Sequence, residues 1–262
     1  MNTALGLHRI YFFAVLCFAL WIGCIGFFWP QQILLALPWS VPPLHARFIG
    51  ALYLSGSAFL LLSLFARTLS QIRMVVYIAF IWTGWLLVVT IIHWSAFDLA
   101  RSPVWFWLFA YIVFPVSAAW LIYRTPAPAI SAGKRIQTVW ITLFYAVQGL
   151  VFTLLAALCF IKPTLAIEIW PWKISSFLAQ VYSGPLLAYG FFGLMIAIRR
   201  NWVEARLPTI GLLIFAVLTL IGSARHSNLF TWGSLSAISW FAGLALLALV
   251  TAIITVRGMR HA

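Results

Sequence analysis

The stretch Leu37-Pro38-Trp39-Ser40 returns later in the chain as Trp170-Pro171-Trp172-Lys173, with Pro38 and Pro171 lying 133 positions apart. The same offset, without a gap, relates further pairs: Pro30 with Pro163, Arg67 with Arg200, Arg73 with Arg206, His93 with His226, Phe97 with Phe230, Trp107 with Trp240, and Arg124 with Arg257. Apolar residues match by chance in such a chain, but Pro, Arg, His and Trp rarely do. The pattern predicts a tandem duplication.

The composition is that of a membrane protein, since 65% of the residues are hydrophobic and only 7% are charged. A soluble domain usually carries charge on about a quarter of its residues. Apolar runs near 20 residues long recur along the chain, and each can cross the hydrocarbon core of a bilayer. They lie at about 10–29, 44–65, 74–92, 104–123, 137–160, 177–198, 208–224 and 232–256.

The predicted fold is therefore all-α: a polytopic membrane protein of eight transmembrane helices, arranged as two tandem parallel four-helix repeats. Residues 1–124 form the first repeat, residues 125–136 a Pro/Ala-rich basic linker, and residues 137–262 the second repeat. Because each repeat has an even number of spans, both should have the same orientation in the membrane.

The net charge of +13 indicates orientation rather than binding of nucleic acid, because the basic residues stand at the ends of the apolar runs. Five of the 16 basic residues fall on one side of the predicted membrane: Arg47, Arg101, Lys162, Lys173 and Arg225. The other eleven fall on the opposite side, which should be cytoplasmic. The sequence thus predicts an inner (plasma) membrane protein with both termini in the cytoplasm and the lipid bilayer as its first partner.

Two outer loops, about 30–43 and 161–176, are too short and too rich in proline to span the membrane. Trp39 and Trp172, each preceded by a proline (Pro38 and Pro171), are expected to anchor these loops at the interface. In the second span, Gly50 and Gly56 belong to a stripe of small residues, which favours close packing of helices.

Six polar residues on the outer face are the candidate site for a ligand or partner: His45, Arg47, His93, Asp98, Arg225 and His226. His93 and His226 are equivalent in the duplication, and such a pair could hold a metal, haem or pigment. Interfacial histidines that bond water or backbone explain them as well, and neither has a second ligand three or four residues away, as zinc sites usually do. No cofactor or metal is predicted, and haem or pigment stays open.

Arg47 is the most informative residue of this set. Its counterpart in the second repeat is Gln180, and the counterpart of its neighbour His45 is Leu178. Because an arginine at a helix start is disfavoured by the helix dipole, we expect Arg47 to have a partner, with Asp98 as a candidate, or to meet an anion. An arginine that extends to the lipid headgroups is the alternative.

The three acidic residues, Asp98, Glu168 and Glu204, all fall in predicted loops. Ion-coupled carriers need a carboxylate within a span, and hydrolases and nucleotide-binding enzymes need motifs that are absent here. The favoured function is a non-enzymatic scaffold or accessory subunit that packs against partner membrane proteins, lipids or a hydrophobic cofactor. The alternative is an uncoupled permease or channel for a small or lipophilic solute, with its path along the repeat axis.

Overall fold

The computed structural model describes residues 3–125 and 135–260, and this part of the chain is almost entirely helical. The helices are α1 Thr3–Phe28, α2 Pro43–Leu64, α3 Leu69–Ile92, α4 Ser102–Arg124, α5 Val139–Ile161, α6 Pro163–Ile169, α7 Ser176–Arg199, α8 Trp202–Ala224 and α9 Leu235–Arg260. All except the short α6 are long and apolar enough to cross a bilayer, which makes eight within the described residues. The predicted all-α membrane fold with eight spans is confirmed.

Most of the predicted linker lies outside the described residues. Its last part contacts the turn between α7 and α8, where Arg135 pairs with Asn201 in an isolated β-bridge. The Ile136 amide donates to the Arg200 carbonyl at 2.6 Å. The start of the second half is therefore held against its own third span.

Three helices begin several residues earlier than hydropathy predicts: α1 at residue 3 rather than 10, α3 at 69 rather than 74, and α8 at 202 rather than 208. The starts of α3 and α8 are capped. The Gln71 carboxamide oxygen accepts from the Thr68 amide at 3.1 Å, and the Asn201 side chain accepts from the Val203 amide at 3.0 Å. Since Thr68 and Asn201 are equivalent in the predicted duplication, both halves place a polar first turn where an apolar window detects no helix.

The helices pair in the same way in both halves: the first span packs against the second (α1 on α2, α5 on α7), and the third against the fourth (α3 on α4, α8 on α9). Between the halves, α2 packs on α8 and α3 packs on α7, an exchanged pair, while α3 also packs on α8. Within a half the second and third spans touch far less. This interlocked arrangement agrees with a tandem repeat, which stays a prediction.

The first two spans of each half approach closely at glycines. A Cβ atom added at Gly50 would lie 2.4 Å from the Phe27 amide nitrogen, and one at Gly149 would lie 2.5 Å from the Leu194 amide nitrogen. Gly56, the other residue of the predicted packing stripe, has its nearest neighbouring atom at 3.8 Å. Gly50 thus lies where two backbones meet, whereas Gly56 does not.

The Pro-Trp loops fold back onto the bundle. Trp39 packs edge-on against Trp107 at 4.7 Å between ring centroids, and Trp172 packs in the same way against Trp240 at 4.9 Å. The two tryptophans are only 9% and 5% exposed. They therefore anchor their loops to helix ends rather than to the membrane interface, because rings this deeply covered cannot reach headgroups.

Candidate functional site

The end of the bundle that carries the Pro-Trp loops, here called the outer end, holds a three-residue constellation that joins α1, α2 and the turn after α8. The Arg47 Nε atom donates to Nε2 of His226 at 3.1 Å. A second donor of the same guanidinium, Nη1, bonds the Phe27 carbonyl. We call Phe27, Arg47 and His226 the Arg47 triad.

The other half contains an equivalent constellation, the Gln180 triad of Phe160, Gln180 and His93. The Gln180 amide nitrogen donates to the Phe160 carbonyl at 3.0 Å, and its amide oxygen bonds Nε2 of His93. Each member lies 133 positions from its counterpart in the Arg47 triad. The two halves thus use the same three positions for the same two contacts, once with an arginine and once with an amide.

The hydrogen bonds assign opposite tautomers to the two histidines. A guanidinium can only donate, so Nε2 of His226 must accept, and the ring is neutral with its proton on Nδ1. In the Gln180 triad the amide oxygen accepts, so Nε2 of His93 carries the proton. Burial lowers the pKa of His226, and the positive charges of Arg47 and then Arg225 lower it further. Burial and charge therefore favour the neutral ring that the geometry requires.

The Arg47 triad carries positive charge that no carboxylate among the described residues offsets. Arg225 stands next to His226, is exposed, and replaces Ile92 of the other half. The Asp98 carboxylate accepts from the Ala100 amide of its own loop at 3.0 Å. The hypothesis that Asp98 pairs with Arg47 is therefore wrong, and the ion pairs among the described residues involve Glu204 at the opposite end of the bundle.

His45 lies beneath the outer loops, outside the Arg47 triad, and is only 6% exposed. Its Nδ1 atom accepts from the Trp172 indole at 3.4 Å and bonds the Tyr182 hydroxyl at 3.1 Å. Since Trp172 belongs to the second Pro-Trp loop, His45 fastens that loop to α2 and α7. Its position between two buried aromatic groups gives it a structural role.

The structure thus brings Arg47, Arg225 and His226 together. It places His93 in the Gln180 triad, buries His45 and leaves Asp98 in its own loop. No group of three or more His, Cys, Asp or Glu side chains with metal-binding spacing occurs in the described ranges. Both histidines of the symmetric pair use Nε2 within their triads, and Nδ1 of His226 is protonated. The two Nε2 atoms are therefore engaged by Arg47 and Gln180.

Glu204, which hydropathy assigns to a loop, instead occupies the first turn of α8 and is fully buried. Its carboxylate accepts two bonds from the Arg199 guanidinium, at 2.7 and 2.8 Å, and Arg73 lies 3.8 Å away. The expectation that all acidic residues lie in loops is therefore wrong, and Glu168 likewise lies in α6. The Asn201-x-x-Glu204 spacing, typical of a helix N-terminus, was the available signal.

An apolar cleft opens inside the first half, between α1, α2, α3 and α4. Its polar members are Thr83 and the hydrogen-bonded tyrosines Tyr53 and Tyr111. Gly56 lines this cleft, which explains the free space around it. The residues that line this cleft all belong to the first half.

The outer end thus offers one charged and one neutral version of a single arrangement. No protein-family model, no curated protein and no solved structure matches this chain. The chemistry of the site therefore rests on its own residues and contacts.

Proposed function

We propose that the protein is a non-enzymatic membrane scaffold or accessory subunit that receives a transmembrane helix of a partner protein on its second half. The observation that carries this proposal is an exposed pair of small residues on α9, Ser239 and Gly243, in a region that large rings fill in the first half. Lipids cover the remaining apolar surface.

In the first half, aromatic rings join the first span to the fourth. Phe18 of α1 contacts Tyr111 and Phe114 of α4, at 6.0 and 5.8 Å between centroids. Trp21 contacts Phe106 at 5.6 Å. These edge-to-face pairs close the side of the four-helix unit.

In the second half, the positions of all five rings hold smaller residues: Val151, Leu154, Ser239, Leu244 and Leu247. Val151 and Leu154 of α5 are 45% and 59% exposed. A Cβ atom added at Gly243 of α9 would meet nothing within 4 Å. The side that is closed in the first half is therefore open in the second.

Contacts between α5 and α9 are sparse. At the inner end, the Arg257 guanidinium of α9 lies 5.3 Å from the centre of the Trp140 ring of α5, a cation–π contact. Toward the outer end, Ser239 and Gly243 form a small-x-x-x-small motif that faces away from the bundle. In membranes such motifs let two helix backbones approach closely and gain packing energy that lipid chains do not supply.

The test is Gly243→Leu, which fills the motif without adding a polar group. Gly6→Leu is the matched control, because Gly6 of α1 also has nothing within 4 Å of an added Cβ atom. We expect the wild type and Gly6→Leu to leave the native membrane in mild detergent as an assembly larger than the single chain. Gly243→Leu should run as the folded chain alone in light scattering and native mass spectrometry. An unchanged assembly in Gly243→Leu contradicts the proposal.

The permease alternative is less well supported, because α3 packs directly on α8 between the halves. Proteoliposomes that contain only this chain separate the two functions. Solute flux above that of protein-free vesicles would favour the permease. Flux equal to the background, together with the assembly described above, would favour the scaffold.

A further inference from the structure

We propose that the Arg47 triad and Arg225 together bind the phosphate group of an anionic phospholipid at the outer boundary of the membrane. This site is separate from the α9 surface and goes beyond the scaffold function. It consists of one half-buried arginine, one exposed arginine and a histidine that bonds the first of them.

The first step is the balance of charge. The chain has only three acidic residues, and all are described: Asp98 bonds its own loop, Glu168 is exposed in α6, and Glu204 is paired at the inner end. Neither Arg47 nor Arg225 therefore forms an ion pair with a carboxylate of the described residues. Two guanidinium groups at the ends of apolar helices attract an anion, and phosphate suits their planar donors.

The second step is that the fold does not require these charges. Gln180 makes the same two contacts as Arg47, to a carbonyl at the end of the first span and to a histidine after the third. Arg47 and Arg225 stand where the other half has Gln180 and Ile92. Because the Gln180 triad forms without these two charges, the charges of Arg47 and Arg225 are available for a ligand.

The third step is the donors that remain. Arg47 uses Nε and Nη1 within the triad, and these two bonds leave Nη2 for a ligand. Nδ1 of His226 carries a proton and can donate as well. Arg225 adds a full guanidinium that is exposed. Phosphate oxygens can accept from all three groups.

Protonation of His226 should strengthen this binding. The charged groups that act on its imidazole are Arg47 from α2 and Arg225 from the end of α8. A proton on Nε2 removes the acceptor of the Arg47 Nε donor, so that this donor is free for the ligand while the site gains a charge. Affinity should rise as the pH falls below 6.5, the ordinary pKa of histidine, toward the lowered pKa of His226.

The experiment is native mass spectrometry of the full-length protein in detergent, titrated with phosphatidylglycerol, phosphatidylcholine and inorganic phosphate. We expect preferential binding of phosphatidylglycerol. Arg47→Gln and Arg225→Ile, which introduce the residues found at the equivalent positions of the other half, should each lower the affinity roughly ten-fold. Lys173→Gln, which removes an exposed cation of the outer loop, should keep wild-type affinity. Thermal unfolding checks that the variants are folded.

Each outcome decides the proposal. Wild-type binding by the Arg47→Gln/Arg225→Ile double variant, or an equal loss in Lys173→Gln, would overturn it. If inorganic phosphate displaces the lipid, the site recognises the ion itself; if it does not, the site recognises the phosphate as part of the headgroup. Binding by the wild type should tighten between pH 7.5 and 5.5, whereas His226→Gln should show no such change; equal pH profiles would remove His226 from the site.

Discussion

At the scale of single residues, the outer and inner ends of the bundle treat charge differently. At the outer end, Arg47 bonds a carbonyl and a neutral histidine, and it forms no ion pair with a carboxylate of the described residues. At the inner end, Glu204 is buried between two arginines, Arg73 of α3 and Arg199 of α7. The inner cluster therefore connects three helices from both halves, whereas the outer cluster keeps charge available.

Glu204→Gln should destabilise the protein, because it leaves the largely covered Arg199 guanidinium without its counter-charge. Arg199 retains 19% of its side-chain exposure, so we expect about 3 kcal/mol, the low end of the cost of breaking a buried ion pair. Thermal and denaturant unfolding of the purified protein in detergent measures this loss.

Glu168→Gln is the control, since it removes the same charge from an exposed position in α6. It should change the free energy of unfolding by no more than about 0.5 kcal/mol. If the two glutamate variants unfold at the same temperature, the inner ion cluster contributes nothing to stability and the reasoning about its burial fails.

At the scale of helices, close packing depends on where a glycine meets another backbone. Gly50 and Gly56 share α2, and only Gly50 faces the backbone of α1. The stripe of small residues predicts that α2 packs closely somewhere. It does not predict which glycine is at the contact, since that depends on the rotation of α2 against α1.

Gly50→Ala should destabilise the protein by about 1–3 kcal/mol or more, because its Cβ atom can be accommodated only if α1 and α2 move apart. Gly56→Ala should be neutral or stabilise by roughly 0.5–1 kcal/mol, since its surroundings have room and alanine is the better helix former. The free energies of unfolding of both variants, measured side by side in detergent, give the comparison. Equal values for the two would mean that α1 and α2 do not meet at Gly50.

At the scale of the whole molecule, the number of spans makes a prediction about orientation. The second span of each half packs on the third span of the other, and because each half has four spans, an even number, both halves should cross the membrane in the same sense. The distribution of basic residues independently predicts cytoplasmic termini. Together they predict the side on which every connection lies.

Reporter fusions check this topology. Reporters fused after Arg67, within residues 125–133 and after Arg257 should give a cytoplasmic signal. Fusions on the outer side should be those near Gln32, Asp98, Leu165 and Asn228. A cytoplasmic signal at Leu165 would exclude a parallel arrangement, because the first span of the second half would then fail to cross.

The sequence by itself determined that this chain is a membrane protein, and it predicts that the chain is a tandem repeat. Long apolar runs have one favourable environment, and the 133-residue offset relates positions in the chain without any knowledge of contacts. It also singled out Arg47 and the histidine pair, because polar residues are scarce in such a chain.

Only the tertiary structure decided what those residues do. Arg47 bonds a histidine 179 positions away rather than the aspartate that charge favours, because two different helices bring them to the same end of the bundle. Glu204 is buried because α3 and α7 bring two arginines around the first turn of α8, which hydropathy, averaged along one helix, does not detect. Hydropathy follows from the order of residues, whereas a partner depends on which surfaces meet.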